Sequence, residues 1–220
     1  MGIPVLILGE SGSGKSASLR NFDPDNVGIF NVVGKPLPFR KKLKTINFVS
    51  IKNEKKEVIG YRRVNYNDIL KFLSTGKLKS YVIDDSQYLM SLEELDRVKE
   101  TGYTKYTDMS VNFIRLVRYI VDSLPPDVIV YFLHHVETTD TGKVKAKTIG
   151  KMIDSHFTLE GFFSIVLLCE ATNEGHHFIT QSDGYTTAKS PMEMFDKVID
   201  NDLAFVDAAI REYWNLGGNE

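Results

Sequence analysis

The stretch Gly9-Glu10-Ser11-Gly12-Ser13-Gly14-Lys15-Ser16 directly follows the apolar run Val5–Leu8, and it decides the fold that the sequence predicts. Its eight residues match the pattern G-x-x-x-x-G-K-[ST] of the phosphate-binding P-loop, or Walker A motif. The apolar run predicts a strand before the loop, and a helix is expected to begin near Gly14. This context disfavours the alternative, a loop rich in glycine and serine that contains a lysine by chance.

Each residue type in the loop suits the binding of phosphate groups. Glycines allow positive φ angles and bring backbone N–H groups close to phosphate oxygens, and the expected helix adds its unpaired N–H groups and the positive end of its dipole. Lys15 is predicted to reach the β- and γ-phosphates, and the hydroxyl of Ser16 is predicted to bind Mg²⁺. The predicted nucleotide-binding residues are Gly9, Glu10, Ser11, Gly12, Ser13, Gly14, Lys15, Ser16 and Ala17.

A second apolar strand, Tyr81–Ile83, ends in two acids, as in a Walker B motif. We expect Asp84 to hold Mg²⁺, directly or through water. Asp85 is the candidate for orienting and deprotonating the attacking water. No glutamate ends the predicted strand Val27–Val33, so the other common position for a catalytic base looks empty.

The continuously apolar run Val128–Leu133 predicts a central parallel strand, and it ends in His134 and His135. Adjacent residues on a strand point to opposite faces. One imidazole could therefore face the nucleotide while the other is structural. A zinc site is disfavoured, because the other histidines are dispersed and no usual ligand spacing exists.

Composition predicts one intracellular domain. A chain of 220 residues with 42 % hydrophobic residues can bury a substantial core. A single cysteine, Cys169, excludes an intrachain disulfide and, within an apolar run, indicates a reducing compartment. The predicted first strand leaves no room for a signal peptide, and no apolar run approaches membrane-spanning length. We therefore expect a cytoplasmic protein without a membrane partner.

Charge is distributed unevenly along the chain. Lys35–Arg63 contains ten basic and two acidic residues, whereas Ser190–Glu220 contains seven acidic and two basic residues. Such an imbalance indicates either a basic face for a polyanion or merely solvated surfaces. Charge alone leaves both interpretations open.

The remaining patterns predict an α/β fold, a mostly parallel sheet flanked by helices, over one domain spanning residues 1–220. A β-hairpin insertion is expected at about 36–64, with strands Thr45–Ile51 and Val58–Val64, and an antiparallel strand is expected near the C-terminus. Further predicted elements are the helices Asn65–Ser74 (capped by Asn65 or Asn67), Ser91–Glu100, Asp108–Leu124, Met192–Ile199 and Asp202–Leu216, and the strands Phe163–Glu170 and His177–Gln181.

The segment Glu137–Lys151 is predicted to be a long polar loop. It contains Lys143, Lys145, Lys147 and Lys151 with no acid among them. The first three alternate, so in an extended loop they would project to one side, as contacts to a nucleic-acid backbone require. Tyr103 and Tyr106 could stack on bases, although partly buried structural tyrosines are the alternative.

The order of these motifs resembles the RecA/AAA-type branch of P-loop ATPases. Within that branch, Leu6–Ser16, Val82-Ile83-Asp84-Asp85-Ser86, Leu133-His134-His135 and a late Ala188-Lys189 resemble small phage ATP-binding proteins. Those are compact RecA-core ATPases of phage recombination and replication modules, and some of them are single-strand annealing proteins. The resemblance covers most of the chain.

The resemblance implies a RecA-like P-loop NTPase fold, in which the P-loop strand lies beside the strand that ends in the sensor residue. His135 is the first choice for that sensor and His134 the second. The loop with Lys143, Lys145, Lys147 and Lys151 would correspond to a DNA-binding loop. Lys189 resembles a lysine finger that reaches a neighbouring subunit, although Pro191 stands where related ATPases often have arginine.

The expected protein is thus a Mg²⁺-dependent ATPase that uses ATP and acts on single-stranded DNA in phage recombination or replication. It would form a homo-oligomer, a ring or a filament, in the host cytoplasm. One alternative is a nucleotide or small-molecule kinase, but no arginine-rich lid segment is evident. Another is an ATP-driven assembly or switch module without DNA binding.

Overall fold

The computed structural model describes residues 1–149 and 158–217. These residues form an α/β structure, with one mostly parallel sheet flanked by helices and a separate two-stranded antiparallel sheet. The predicted fold class is confirmed at this level. Lys151, one of the four lysines predicted to contact DNA, lies outside the described residues.

The elements are numbered in chain order. The strands are β1 (Ile3–Gly9), β2 (Val27–Asn31), β3 (Thr45–Ile46), β4 (Phe48–Lys52), β5 (Val58–Arg63), β6 (Ser80–Asp84), β7 (Ile129–Thr138), β8 (Val144–Ala146), β9 (Ile165–Thr172), β10 (Gly175–Ile179) and β11 (Val198–Asp200). The α-helices are α1 (Tyr66–Leu73), α2 (Tyr88–Asp96), α3 (Thr104–Ser123) and α4 (Leu203–Tyr213), and 3₁₀ helices span Ser16–Asn21 and Leu159–Phe162. Across the described residues, no helix is both long and apolar enough to span a bilayer.

The main sheet has the strand order β11-β10-β9-β1-β7-β6-β2-β3, and β8 pairs with β7 off this path. The strands from β9 to β3 in this order run parallel, whereas β10 is antiparallel to both of its neighbours. The first strand therefore lies beside the strand that carries His134 and His135, as expected. The predicted antiparallel strand near the C-terminus is also present.

The central strands are apolar throughout because helices cover both faces of the sheet. In β1, Leu6 and Leu8 pack in a core with residues of α1, α2 and α3. Val5 and Ile7 pack on the opposite face with residues of α4 and of the first 3₁₀ helix. The sheet thus forms the middle of three layers, and its polar groups collect where the strands end.

The helix expected after the glycine-rich loop is a 3₁₀ helix, Ser16–Asn21, and not an α-helix. The hydroxyl of Ser18 donates to the carbonyl of Lys15. A serine hydroxyl that bonds to nearby backbone competes with the regular α-helical pattern. The predicted helical segment is thus present, and it begins at Ser16.

The helix predicted at Met192–Ile199 is absent; turns lead there into β11. The N–H group of Thr180 donates to the carbonyl of Lys197 at 3.0 Å, and Ile199 pairs with Phe178 of β10. The apolar spacing of this segment thus reflects packing at the edge of the sheet.

The other predicted elements are present with ends shifted by a few residues. Asn65, and not Asn67, caps α1, because its side chain accepts from the N–H of Asp68 and its own N–H donates to the Asp68 carboxylate. The predicted hairpin is present as β4 and β5, which form the separate sheet. Its first predicted strand is divided, however, since Thr45–Ile46 joins the main sheet beside β2.

Candidate functional site

Parallel strands end at a common edge of a sheet, where α/β proteins usually bind ligands. The loop after β1, the two acids at the end of β6 and a histidine of β7 meet there around a cavity of about 320 Å³. That volume falls within the range of small-molecule sites. The cavity is lined by Ser11, Gly12, Gly14, Lys15, Ser16, Ala17, Lys35, Pro36, Pro38, Asp84, Asp85, His135 and His176.

Three predicted nucleotide-binding residues shape the loop and do not line this cavity. The carbonyls of Gly9 and Glu10 accept hydrogen bonds from the Lys15 ammonium, at 2.7 and 2.8 Å. The carbonyl of Ser13 accepts from Nδ1 of His176 at 2.8 Å. These bonds hold the loop in a fixed form around the cavity.

Gly14 is required both by backbone conformation and by space. Its φ angle is 105°, which residues other than glycine rarely adopt. A Cβ atom there would lie 2.8 Å from the ring of His176. The imidazole therefore packs directly on the loop, close to where the Lys15 side chain begins.

Lys15 places a buried ammonium at the base of the loop. Burial lowers its pKa, although the nearby carboxylates of Asp84 and Asp85 oppose the shift. Within the described part of the chain no carboxylate pairs with it directly, and its bonds go to backbone carbonyls. An anion entering the cavity would offer this ammonium a stronger acceptor.

Ser16 and Asp84 form a pair of oxygen donors from two different elements. The Ser16 hydroxyl donates to Oδ1 of Asp84 at 2.9 Å. Burial raises the pKa of the Asp84 carboxyl to about 6, and the charge of Asp85 adds to the shift. The site thus holds a carboxylate whose negative charge is poorly compensated.

Asp85 accepts hydrogen bonds from two side chains, His135 and Lys35. Nε2 of His135 donates to its Oδ1 at 3.2 Å, and the Lys35 ammonium donates to its Oδ2 at 3.0 Å. Burial opposes its charge, but the bonds from His135 and Lys35 prevail and lower its pKa. Its φ angle of 59° is unusual for a residue other than glycine.

The structure distinguishes the two histidines that the sequence left open. His135 faces the cavity and Asp85. His134 is fully buried on the opposite side, where its ring packs against Phe113 of α3. The first choice for the sensor position thus lies at the site, and the second choice, His134, does not.

His134 instead connects three parts of the fold. Its Nε2 donates to the carbonyl of Lys147 at 2.8 Å, and its Nδ1 accepts from the Ser86 hydroxyl at 2.9 Å. Burial lowers its pKa to about 4, so the ring is neutral at neutral pH. It holds the segment after β8 against the end of β6.

Lys35 is a site residue that the motif analysis missed. The side chain of Asn31, at the end of β2, donates to the Lys35 carbonyl at 2.6 Å and accepts from the N–H of Gly34 at 2.7 Å. These bonds direct the segment across the cavity. The available signal was positional, because this segment follows a predicted parallel strand. His176 was also missed, and no comparable pattern in the sequence predicts that it lies at the site.

The predicted loop Glu137–Lys151 begins as a β-hairpin. β7 continues to Thr138 and β8 returns antiparallel beside it, with a turn at Thr139–Gly142. Thr-Asp-Thr-Gly is itself a turn signal. Lys145 pairs with Glu137 at 2.9 Å across the two strands, so the proposed row of lysines is partly engaged within the protein.

Lys189 does not line the cavity of its own chain. Its backbone pairs with Val166 of β9, and its side chain is half-buried. Its assignment as a finger for a neighbouring subunit stays a prediction.

The site combines two ammonium groups, a hydroxyl–carboxylate pair and a carboxylate bonded to an imidazole. Such groups can bind phosphates, hold a hard cation and orient water. No family model matches the chain, and no curated protein matches it significantly. Function must therefore be argued from these residues.

The raised pKa of Asp84 predicts that this carboxylate destabilises the metal-free protein at neutral pH. Asp84→Asn should raise the free energy of unfolding by about 1–3 kcal/mol, since one pKa unit corresponds to about 1.4 kcal/mol. The folded state binds the proton more tightly than the unfolded state, so wild-type stability recovers as pH falls from about 6 toward 4. The difference between the two proteins should shrink over that range.

Urea unfolding with a chelator present measures this difference. Asp140→Asn is the matched control, because Asp140 is exposed in the turn before β8, and it should leave the free energy of unfolding unchanged. A less stable Asp84→Asn protein at neutral pH would contradict the assignment, as would a difference that grows on acidification.

Proposed function

We propose that the protein is a Mg²⁺-dependent ATPase with a RecA-like P-loop core. The observation that supports this most strongly is the convergence of three pairs of groups on one cavity. Loop N–H groups and Lys15 suit phosphates, Ser16 with Asp84 suits a magnesium ion, and Asp85 with His135 suits an attacking water.

The strand order supports the RecA-like assignment. β1 lies between β9 and β7, and β7 separates it from β6, which carries the acids. The RecA/AAA-type branch likewise places the P-loop strand beside the strand of the sensor residue. The position of His135 on the cavity is in keeping with the resemblance to small phage ATP-binding proteins.

Ser16 and Asp84 fit magnesium in their chemistry. Mg²⁺ prefers oxygen ligands and is usually held by one or two carboxylates together with substrate phosphates. In residues 1–149 and 158–217, no group of three His, Cys, Asp or Glu side chains could hold a metal by itself, so phosphates would complete the coordination. When bound, magnesium neutralises charge on the β- and γ-phosphate oxygens.

In the proposed reaction Asp85 orients a water molecule and accepts its proton as the water oxygen attacks the γ-phosphorus. The bond from that phosphorus to the oxygen bridging the β-phosphate breaks, and its electron pair leaves with ADP. The products are ADP and inorganic phosphate. His135 holds the Asp85 carboxylate in position, and in this proposal its ring, which lines the cavity, contacts the γ-phosphate.

Lys35 has to release Asp85 before this step. In the structure the Lys35 ammonium donates a hydrogen bond to Oδ2 of Asp85, and the Lys35 side chain also lines the cavity. A terminal phosphate offers the ammonium a more highly charged partner. Binding of ATP thus moves Lys35 from Asp85 to the γ-phosphate and makes the carboxylate oxygen available to water.

Single-stranded DNA is the proposed partner, in phage recombination or replication, with self-association into a ring or filament. The basic segment Lys35–Arg63 supports a polyanionic partner, and it borders the nucleotide cavity through Lys35 and Pro36. The pairing of Asp85 favours one alternative, a switch module that hydrolyses ATP slowly and needs no DNA.

Steady-state ATP hydrolysis with and without single-stranded DNA, over a salt series, tests this function. Turnover should require Mg²⁺ and rise when DNA is added, and the rise should fade as salt increases. Turnover that ignores DNA at every salt concentration would favour the switch module. Absence of any Mg²⁺-dependent turnover would contradict the ATPase.

Asp85→Asn is predicted to slow hydrolysis by about 10²–10⁴-fold, the usual contribution of a general base. Binding of Mg·ATP should remain, because Ser16 and Asp84 are untouched. Single-turnover kinetics and ATP binding measure the two effects separately. Asp140→Asn is the control, and a wild-type rate in Asp85→Asn would place the base elsewhere.

Lys35→Met is predicted to weaken ATP binding by about tenfold or more, as expected for a lost hydrogen bond to a charged group. ADP binding should change much less, since ADP has no γ-phosphate. Lys44→Met removes the same charge from the same segment, but Lys44 pairs with Asp25 and does not line the cavity. Equal losses of ATP and ADP affinity in Lys35→Met would contradict the proposed exchange.

A further inference from the structure

The hairpin of β4 and β5 exposes large apolar side chains on a two-stranded sheet. Tyr61 is 70 % exposed, Ile59 65 % and Phe48 53 %. Among residues 1–149 and 158–217, this sheet consists of β4 and β5 alone. Exposed apolar groups gathered on one element mark a contact surface, so the hairpin is suited to a partner outside its own fold.

Aromatic and cationic groups share one face of the hairpin. Phe48 pairs with Arg63 across the strands, and Tyr61 pairs with Ser50 one step along the same face. The Arg63 guanidinium lies 5.4 Å from the centre of the Phe48 ring. The face therefore offers flat rings and a guanidinium, the groups on which nucleic-acid bases stack.

The segment that contains this hairpin, Lys35–Arg63, is rich in cations. The two acids of the basic segment, Glu54 and Glu57, both lie in the hairpin turn region. Several of its cations pair with carboxylates of the protein, as Lys44 does with Asp25 and Arg62 with Asp68. Others have no carboxylate partner among the described residues: Arg40, Lys42, Lys52, Lys55 and Lys56.

The basic surface extends from the hairpin to the nucleotide site. A second cavity, of about 420 Å³, is lined by Arg40, Lys42 and Asn47, and also by Lys35 and Pro36 of the first cavity. Asn47 directly precedes β4. A polyanion on the hairpin would therefore run toward the candidate nucleotide site.

The competing basic region is less suited to a strand. Lys145 is paired with Glu137, and the carbonyl of Lys147 is held by the buried His134. No aromatic side chain belongs to β8, whose sequence is Val-Lys-Ala. The β7–β8 hairpin thus offers lysines but no exposed aromatic side chain of its own; the exposed Tyr185, whose carbonyl accepts from the N–H of Val144, belongs to a neighbouring segment.

We propose that the β4–β5 hairpin is the surface that binds single-stranded nucleic acid. Bases stack on Tyr61 and Phe48. The phosphates of the nucleic-acid backbone contact those cations of the segment that have no carboxylate partner. The proposal rests on the polynucleotide partner of the proposed function and gives that partner a site. Charge complementarity together with the exposed rings favours this occupant, since cations without carboxylate partners beside exposed aromatic side chains suit a polyanion that carries bases.

The hairpin also contacts the segment that carries Lys35, whose ammonium donates to Asp85. Arg63 donates to the carbonyl of Val33, two residues before Lys35. Arg62 joins the hairpin to α1 through Asp68. A nucleic-acid strand that binds Arg63 would therefore contact a side chain that is hydrogen-bonded to the segment of Lys35.

Fluorescence anisotropy with two labelled probes tests the proposal on the full chain. One probe is oligothymidylate of about 16 nucleotides, the upper site size of a typical single-strand binding domain, and the other is an abasic oligomer of equal length. Tyr61→Ala should weaken oligothymidylate binding by about five- to a hundredfold, as for loss of one stacked base. Binding of the abasic probe, which cannot stack, should stay at the wild-type level.

Phe205→Ala is the matched control, because Phe205 is an aromatic side chain that is 52 % exposed on α4, outside the hairpin. It should leave both affinities unchanged. The double variant Arg40→Ala, Lys42→Ala should weaken both probes and flatten the dependence of log affinity on log salt by about 1.4, at 0.7 per phosphate. Circular dichroism confirms that each variant is folded.

Unchanged oligothymidylate binding in folded Tyr61→Ala would overturn the proposal. A loss of probe affinity that occurs only in alanine variants of Lys143, Lys145 and Lys147 would also overturn it. That result would still support a polynucleotide as the partner. A hairpin variant that changes the oligomeric state and leaves both affinities intact would identify a second copy as the occupant and overturn it too. No binding of either probe at about 50 mM salt would overturn the partner as well.

Discussion

Parallel pairing of β1 with β7 over the whole length of β1 is the constraint on which the site depends. The register places Gly9 opposite His135, so the glycine-rich loop leaves the sheet beside the histidine that contacts Asp85. β6 pairs with the other side of β7 and brings its two acids to the same edge. A slip of one residue in β7 would exchange the faces of His134 and His135, and the loop would lose its neighbour.

The groups collected at this edge favour ligand binding over the stability of the protein alone. Burial lowers the pKa of Lys15 and raises that of Asp84, so neither charge is well solvated. Asp85 adds a left-handed backbone conformation, which stores strain in a residue other than glycine. A magnesium ion and phosphates would compensate these charges, which is a reason for the protein to keep them.

Local patterns predicted the parts of the site that lie at strand ends. The glycine-rich loop follows β1 and Asp84 ends β6, as predicted. The two histidines follow the predicted apolar run, but they lie inside β7, which continues to Thr138. Lys35 was missed because its position depends on the side chain of Asn31 and on β2 lying beside β6, which no local pattern encodes. The helix predicted at Met192–Ile199 failed for a similar reason, since pairing with β10 outweighed its apolar spacing.

Calorimetric titration of Mg·ATP into the wild-type protein and into Lys15→Met tests the central claim most directly. The methionine keeps the length of the side chain but removes the ammonium that would contact the phosphates, so the fold should be retained. The account predicts one ATP bound per wild-type chain and binding weakened beyond detection in the folded variant. No binding to the wild type, or equal binding to both proteins, would contradict it.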